Sequence, residues 1–269
     1  MKSKREETLP TTEWNAELYR QRSSLQQAMA AEVMQALELT SCDRVLDVGC
    51  GDGRITSEIA RRVPNGCVVG VDASSNMIEL ASQNIRPNLH FEVADARLLP
   101  FSNEFDLVVS FNALHWIHEQ DLALASIHRS VKPGGAAHLR LVPMGARKSI
   151  ETVLEETRNS PTWSNYFCDF RDPYLRLTEE EYFLLAQRSG FRIERVQTES
   201  KTWDFRTRAE FFAFSSVTMV EWTKRLPESL RSPFINDVLD RYRAVAVEKE
   251  GEENAFKFYQ MTVLLKALA

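Results

Sequence analysis

The chain has 269 residues, enough for one large domain or one domain carrying a sizeable insertion. Its apolar content of 43%, charged content of 26% and net charge of −5 are ordinary for a globular protein, and leave no overall basic footprint for nucleic acid or an anionic membrane. The N-terminus from Met1 to Glu7 is charged and unlike a signal peptide, and no stretch has the length of a membrane span; a cytoplasmic monomer or homodimer with no nucleic-acid or membrane partner is the expectation.

In chain order, Glu13 to Leu39 has helical periodicity, with Leu18, Leu25, Met29, Val33 and Leu37 on one face. Strand and helix then alternate. Arg44–Val48, Cys67–Val71, Leu89–Val93, Phe105–Phe111 and Ala136–Val142 read as strands. Ile55–Val63, Ser74–Asn84 and Asp121–Val131 read as helices, the second with a serine cap and the last stopped by Lys132-Pro133-Gly134-Gly135. Further on, Ser149–Arg158 and Glu179–Arg188 are helical, Phe191–Val196 is a sixth strand, and Arg208–Arg225 and Glu228–Glu248 are helices divided by Pro227. Phe256–Leu268 is the last strand. Apolar strands alternating with helices predict an α/β fold: a doubly wound, mostly parallel, seven-stranded sheet with helical cap elements. Three parts are expected: an N-terminal helical lid over 1–40, a ligand-binding core over 41–143, and 144–269 completing the sheet, with cap insertions at about 144–178 and 206–250. The cysteines, Cys42, Cys50, Cys67 and Cys168, have no paired spacing, which predicts reduced, buried thiols and neither a disulfide framework nor a metal site.

The sharpest motif is Asp47-Val48-Gly49-Cys50-Gly51-Asp52-Gly53, between a strand and a helix. Glycines let backbone turn tightly and approach a ligand closely. Asp72 ends the second strand, where its carboxylate can accept both hydroxyls of a ribose, and Asp95 follows the third, where it can accept from an adenine amino group or cap a turn. Two ligands compete. A nicotinamide dinucleotide would set its diphosphate over the loop against the helix N-terminus. Asp47 opposes that, because a carboxylate repels a diphosphate and attracts an ammonium or sulfonium. The spacing also departs from G-x-G-x-x-G.

With those acids and Lys132-Pro133-Gly134-Gly135, the segment from Val45 to Val142 resembles the class I S-adenosylmethionine-dependent methyltransferases. Ala16-Glu17-Leu18-Tyr19, Ser24-Leu25-Gln26, Asn112-Ala113-Leu114-His115-Trp116-Ile117 and Trp163-Ser164-Asn165-Tyr166 are similar to segments of the juvenile hormone acid methyltransferases, and all but the last also to the trans-aconitate methyltransferases. The resemblance implies a Rossmann-like fold, S-adenosyl-L-methionine as cofactor, and methyl transfer to a small-molecule carboxylate. It implies ligand roles for Asp47, Gly49, Asp72 and Asp95, with Tyr19, Gly51, Ala73, Met77, Ala96 and Asn112 beside them, and it associates Gln26 and Trp116 with the acid substrate.

A carboxylate acceptor is already ionised and needs no base, so no nucleophile–base pair is expected, and none is found in the sequence. His115 is either a donor to the carboxylate or, for a phenol, amine or carbon acceptor, the base. Arg22, Arg171 and Arg176 are candidate carboxylate clamps. Trp163, Tyr166, Phe167, Phe170, Phe211, Phe212 and Phe214 either line an apolar cavity or pack the cap. A cofactor-binding module without activity is the alternative of a different class.

Overall fold

A computed structural model describes residues 24–268, without the side chains of Ser24, Gln26 and Gln27. Helix α1 (Ser24–Ala36) leads into β1 (Arg44–Val48), α2 (Arg54–Arg62), β2 (Cys67–Asp72), α3 (Ser75–Ala81), β3 (Leu89–Val93), β4 (Phe105–Phe111), α4 (Gln120–Ser130) and β5 (Val131–Leu141). There follow α5 (Ile150–Arg158), α6 (Glu179–Arg188), β6 (Arg192–Asp204), α7 (Arg208–Thr218), α8 (Val220–Thr223), α9 (Glu228–Ala246) and β7 (Ala255–Lys266).

The strands form one seven-stranded sheet in the order β3-β2-β1-β4-β5-β7-β6. β1 to β5 are mutually parallel, and β7 runs antiparallel to both β5 and β6. The winding reverses between β1 and β4, which opens a crevice at the carboxyl ends of those strands. Leu46, Val108, Leu139 and Val263 fill one face of the sheet under α4 and α6; Val45, Val68 and Val109 fill the other with Ile59 of α2 and Val33 of α1. Each such fully buried aliphatic side chain contributes roughly 1.5–3 kcal/mol. A third core, built on Leu154, Trp163, Phe211, Trp222, Phe234 and Phe256, joins α5, the segment after it, α7, α8 and α9 to β7.

Three boundaries differ from the sequence reading. Lys132-Pro133-Gly134-Gly135 does end α4, but it lies inside β5 as a bulge: Phe105 pairs with Val131 and Leu107 with Ala136. Gly134 has φ 75, and a Cβ on Gly135 would sit 2.9 Å from the Asp106 carbonyl oxygen. β6 runs to Asp204 instead of Val196, because β7 pairs with it along its whole length. The helix expected over Arg208–Arg225 breaks at Met219. The thiols also need correction: Cys50 is buried, but Cys42 and Cys168 are exposed, one in the turn before β1 and the other just after the 3₁₀ turn Ser164–Tyr166. Among the described residues no helix is long and apolar enough to cross a membrane.

Candidate active site

After β1 the chain turns through Gly49 (φ 77), Gly51 (φ 54) and Gly53 (φ 74) into α2. A Cβ on Gly49 would lie 2.1 Å from the Ala113 Cβ, so only glycine lets the loop rest on the segment after β4. A Cβ on Gly51 would meet no protein atom within 4 Å; it would point into open space. The loop's amides are already engaged. Gly49 and Cys50 donate to the Val71 carbonyl at 2.8 and 3.0 Å, and Gly51 donates to Asp72 Oδ2 at 3.0 Å. A diphosphate over this loop would lack those donors.

Groups that accept hydrogen bonds gather instead. Asp72 Oδ1 accepts from the Ser74 amide at 2.9 Å, which fixes the carboxylate at the end of β2. Asp47 lies beneath the loop, 2% exposed, and accepts from Thr56 Oγ1 at 2.7 Å. Burial pushes its carboxyl up to about 7, against the Thr56 hydrogen bond and with the charge of Asp72 adding to the rise. Asp95 caps the 3₁₀ turn Ala96–Leu98 and accepts from Arg97 Nη2 at 2.6 Å, while Arg97 Nη1 reaches Glu119 at 2.9 Å. Burial would raise the Asp95 carboxyl, but the hydrogen bonds and charge of Arg97 hold it below its ordinary value. Asn112, at φ 59, buries Oδ1 with no hydrogen-bond partner among the described residues.

These groups border a cleft of about 500 Å³ whose lining includes Gly49, Gly51, Asp72, Ala73, Met77, Asp95, Ala96 and Asn112. Asp47 sits behind this lining. An acceptor-rich cleft with room at Gly51 fits a ligand that brings donors: ribose hydroxyls, an adenine amino group and an ammonium.

A second, smaller chamber of about 130 Å³ shares Asn112 and Trp116 with the cleft. Its walls are mostly apolar, with Leu25 and Met29 of α1, Leu154 of α5, Phe214 of α7, Met219, and Phe256 and Phe258 of β7. Trp116 packs on Tyr174 with ring centroids 4.3 Å apart. His115 is 5% exposed, and its Nδ1 accepts from the Val142 amide at 3.5 Å. Burial, helped by the positive charge of Arg176, pushes the imidazole down to about 3. The ring is therefore neutral, and the occupied Nδ1 leaves its one hydrogen on Nε2.

The sequence candidates divide as follows. His115, Trp116, Asn112, Arg176 and Phe214 meet at the chamber. Arg171 and Phe170 lie at the cleft's outer wall, and Arg171 Nη2 donates to His118 Nδ1 at 3.0 Å. Trp163, Phe167 and Phe211 are buried in the cap core, Phe212 packs against it, and Tyr166 is exposed. Tyr19, Arg22 and the side chain of Gln26 lie outside the described residues. Sequence reasoning missed Glu151 and Tyr174, which line the chamber, and the bridging role of Arg97. Glu151 reads as an ordinary acid in a helix's first turn, and only the path of the chain from Tyr174 to Arg176 reveals its neighbour.

Residues 45–135 match the family model described as a methyltransferase domain. With the seven-stranded fold, this makes the chain a methyltransferase whose cofactor is S-adenosyl-L-methionine. Within that class it is similar to two kinds of acid methyltransferase. The juvenile hormone acid O-methyltransferase of Bombyx mori is 25% identical over 268 residues, 91% of this chain and 93% of that one. The trans-aconitate 2-methyltransferase of Deinococcus radiodurans is 32% identical over 146 residues, 54% of this chain and 55% of that one. Among solved structures, the phosphoethanolamine N-methyltransferase 2 of Haemonchus contortus in complex with S-adenosyl-L-methionine superposes with a TM-score of 0.58 at 17% identity, over 90% of this chain and 53% of that one; this likeness concerns the fold.

Proposed function

We propose that the chain methylates a carboxylate oxygen of a small, fairly apolar organic acid. When bound, the cofactor supplies a methyl carbon on a positively charged sulfur. In this reading Asp72 accepts from the ribose hydroxyls, Asp95 from the adenine amino group, and Asp47 and Asn112 attract the ammonium, while Gly49, Gly51, Ala73, Met77 and Ala96 shape the walls. Residues 41–143 carry the cofactor; the N-terminal segment and the insertions at about 144–178 and 206–250 shape the acceptor chamber.

The observation that carries the reading is the state of His115. If this ring were the base for a phenol or amine acceptor, it would have to take a proton. Its Nδ1 faces the Val142 amide at 3.5 Å, an arrangement that favours the neutral tautomer with its hydrogen on Nε2. A carboxylate has no proton to lose and needs a donor, which Nε2–H provides. Arg176 and Trp116 line the same chamber, whose apolar walls suit the body of the acid. Positioning and exclusion of water are then the protein's contribution to rate.

The test is transfer of labelled methyl from S-adenosylmethionine to a panel of aliphatic and aromatic acids, phenols and amines. Methyl esters, released by mild alkali, are the expected products. Transfer confined to phenols or amines would overturn the carboxylate assignment.

A further inference from the structure

The acceptor chamber holds one more charged residue than its proposed chemistry requires. Among the described residues, Arg176 and Glu151 are its two charged lining residues, and they face each other, Nη1 to Oε2, at 3.7 Å. Both are mostly buried, at 12% and 14% side-chain exposure. Arg176 Nη1 also donates to Ser149 Oγ at 3.0 Å, and its Nη2 lies 3.8 Å from Asp172 Oδ2. Among the described residues the one cation of the chamber is thus flanked by two carboxylates of the protein.

Taking the carboxylate reading as its basis, we propose that Glu151 determines specificity by restricting the acceptor to a single carboxylate on an apolar body. The pair adds no net charge to the chamber. One substrate carboxylate can be met by His115 Nε2–H and the near side of Arg176. Among the described residues a second would find no further cation, only apolar walls that cannot hydrate it and the negative charge of Glu151. Glu151 therefore acts by exclusion, and it leaves the attacking oxygen untouched. Of the two kinds of relative, trans-aconitate with its three carboxylates is the acid this chamber would refuse.

The experiment compares octanoate with octanedioate, which differ by the second carboxylate, as kcat/KM ratios. The wild-type enzyme is expected to favour octanoate by roughly 100-fold, and Glu151→Gln, which keeps volume and removes charge, to narrow that ratio to below about tenfold. Glu151→Asp keeps the charge and should restore most of the preference. A Glu151→Gln variant that slows both acids equally would show a merely structural residue and overturn the proposal. So would wild-type enzyme that uses octanedioate as well as octanoate, a result that needs no variant to fold and leaves the carboxylate reading intact. Failure of every acid, with phenols or amines methylated, would instead strike the carboxylate reading itself.

Discussion

The cofactor cleft and the acceptor chamber share Asn112 and Trp116, yet they are built by different means. The cleft comes from backbone: three left-handed glycines, amides folded back on Val71 and Asp72, and acids standing where parallel strands end. The chamber comes from side chains delivered by five separated stretches, α1, the turn after β4, the run from Val142 to Arg176, the α7–α8 junction and β7. A backbone site tolerates little change because its geometry is the binding surface. A side-chain site can be retuned one residue at a time, which suits a fold that keeps one cofactor and varies its acceptor.

The largest effect should come from breaking the backbone half. Gly49→Ala places a Cβ against Ala113 at a φ of 77 and should cost both stability and at least about 100-fold in affinity for S-adenosylhomocysteine. Gly51→Ala meets no protein atom, so thermal unfolding should reveal only the roughly 1 kcal/mol of a left-handed alanine, yet calorimetry should show a similar loss of ligand affinity. Wild-type binding by Gly51→Ala would mean that the open space there is not where the ligand lies.

On the side-chain half, His115→Ala should lower kcat/KM for the acid by roughly 10–100-fold, the worth of a hydrogen bond to a charged group. At saturating cofactor and acid, kcat should stay flat between pH 5 and 8, since an imidazole held at about 3 does not titrate there. A rate that falls with an apparent pKa near 6.5, and loses that dependence in the variant, would restore His115 as the base.

The two halves were unequally legible in the sequence, for the same physical reason. A turn with positive φ and strand-end acids must be written in contiguous residues, so Asp47 to Gly53, Asp72 and Asp95 announced the cleft. The chamber's Arg176–Glu151 pair is 25 positions apart in sequence and left no pattern. β6 was underread for a related cause. Beyond Val196 its residues, Gln197-Thr198-Glu199-Ser200-Lys201, are polar, because this edge strand is held by pairing with β7 and one of its faces is only half-buried, which demands little apolar alternation. The bulge in β5 hid behind a Pro-Gly-Gly signal that usually ends structure and here bends it.

Asp47 sharpens the cleft side through pH. Its carboxyl, at about 7 in the free protein, must be ionised to attract a ligand ammonium from behind the cleft lining. Affinity for S-adenosylhomocysteine should level off near about pH 8 and weaken by up to about tenfold per unit below pH 7, as a proton competes for the site. The sign for folding is opposite: the folded chain keeps a proton that the unfolded chain releases near 4, so this group lowers stability progressively from pH 4 to 7. Asp47→Asn should remove both slopes, and an unchanged binding slope in that variant would assign the titration elsewhere.

The smallest effect tests whether the cap is energetically separate from the cofactor half. Trp163 Nε1 donates to Asp237 Oδ2 at 2.7 Å and the ring packs edge-on against Phe234, tying the segment after α5 to α9. Trp163→Phe keeps most of the apolar contact and removes the donor, while Arg241 still engages the carboxylate. Unfolding should fall by about 1–2 kcal/mol, from the hydrogen bond and the small space left behind. S-adenosylhomocysteine affinity should not change, because neither residue borders the cleft. A loss of cofactor affinity in this variant would show that the aromatic core of the cap and the glycine loop are coupled through Trp116 and Tyr174, and that the division between a fixed backbone site and a tunable side-chain site does not hold in this molecule.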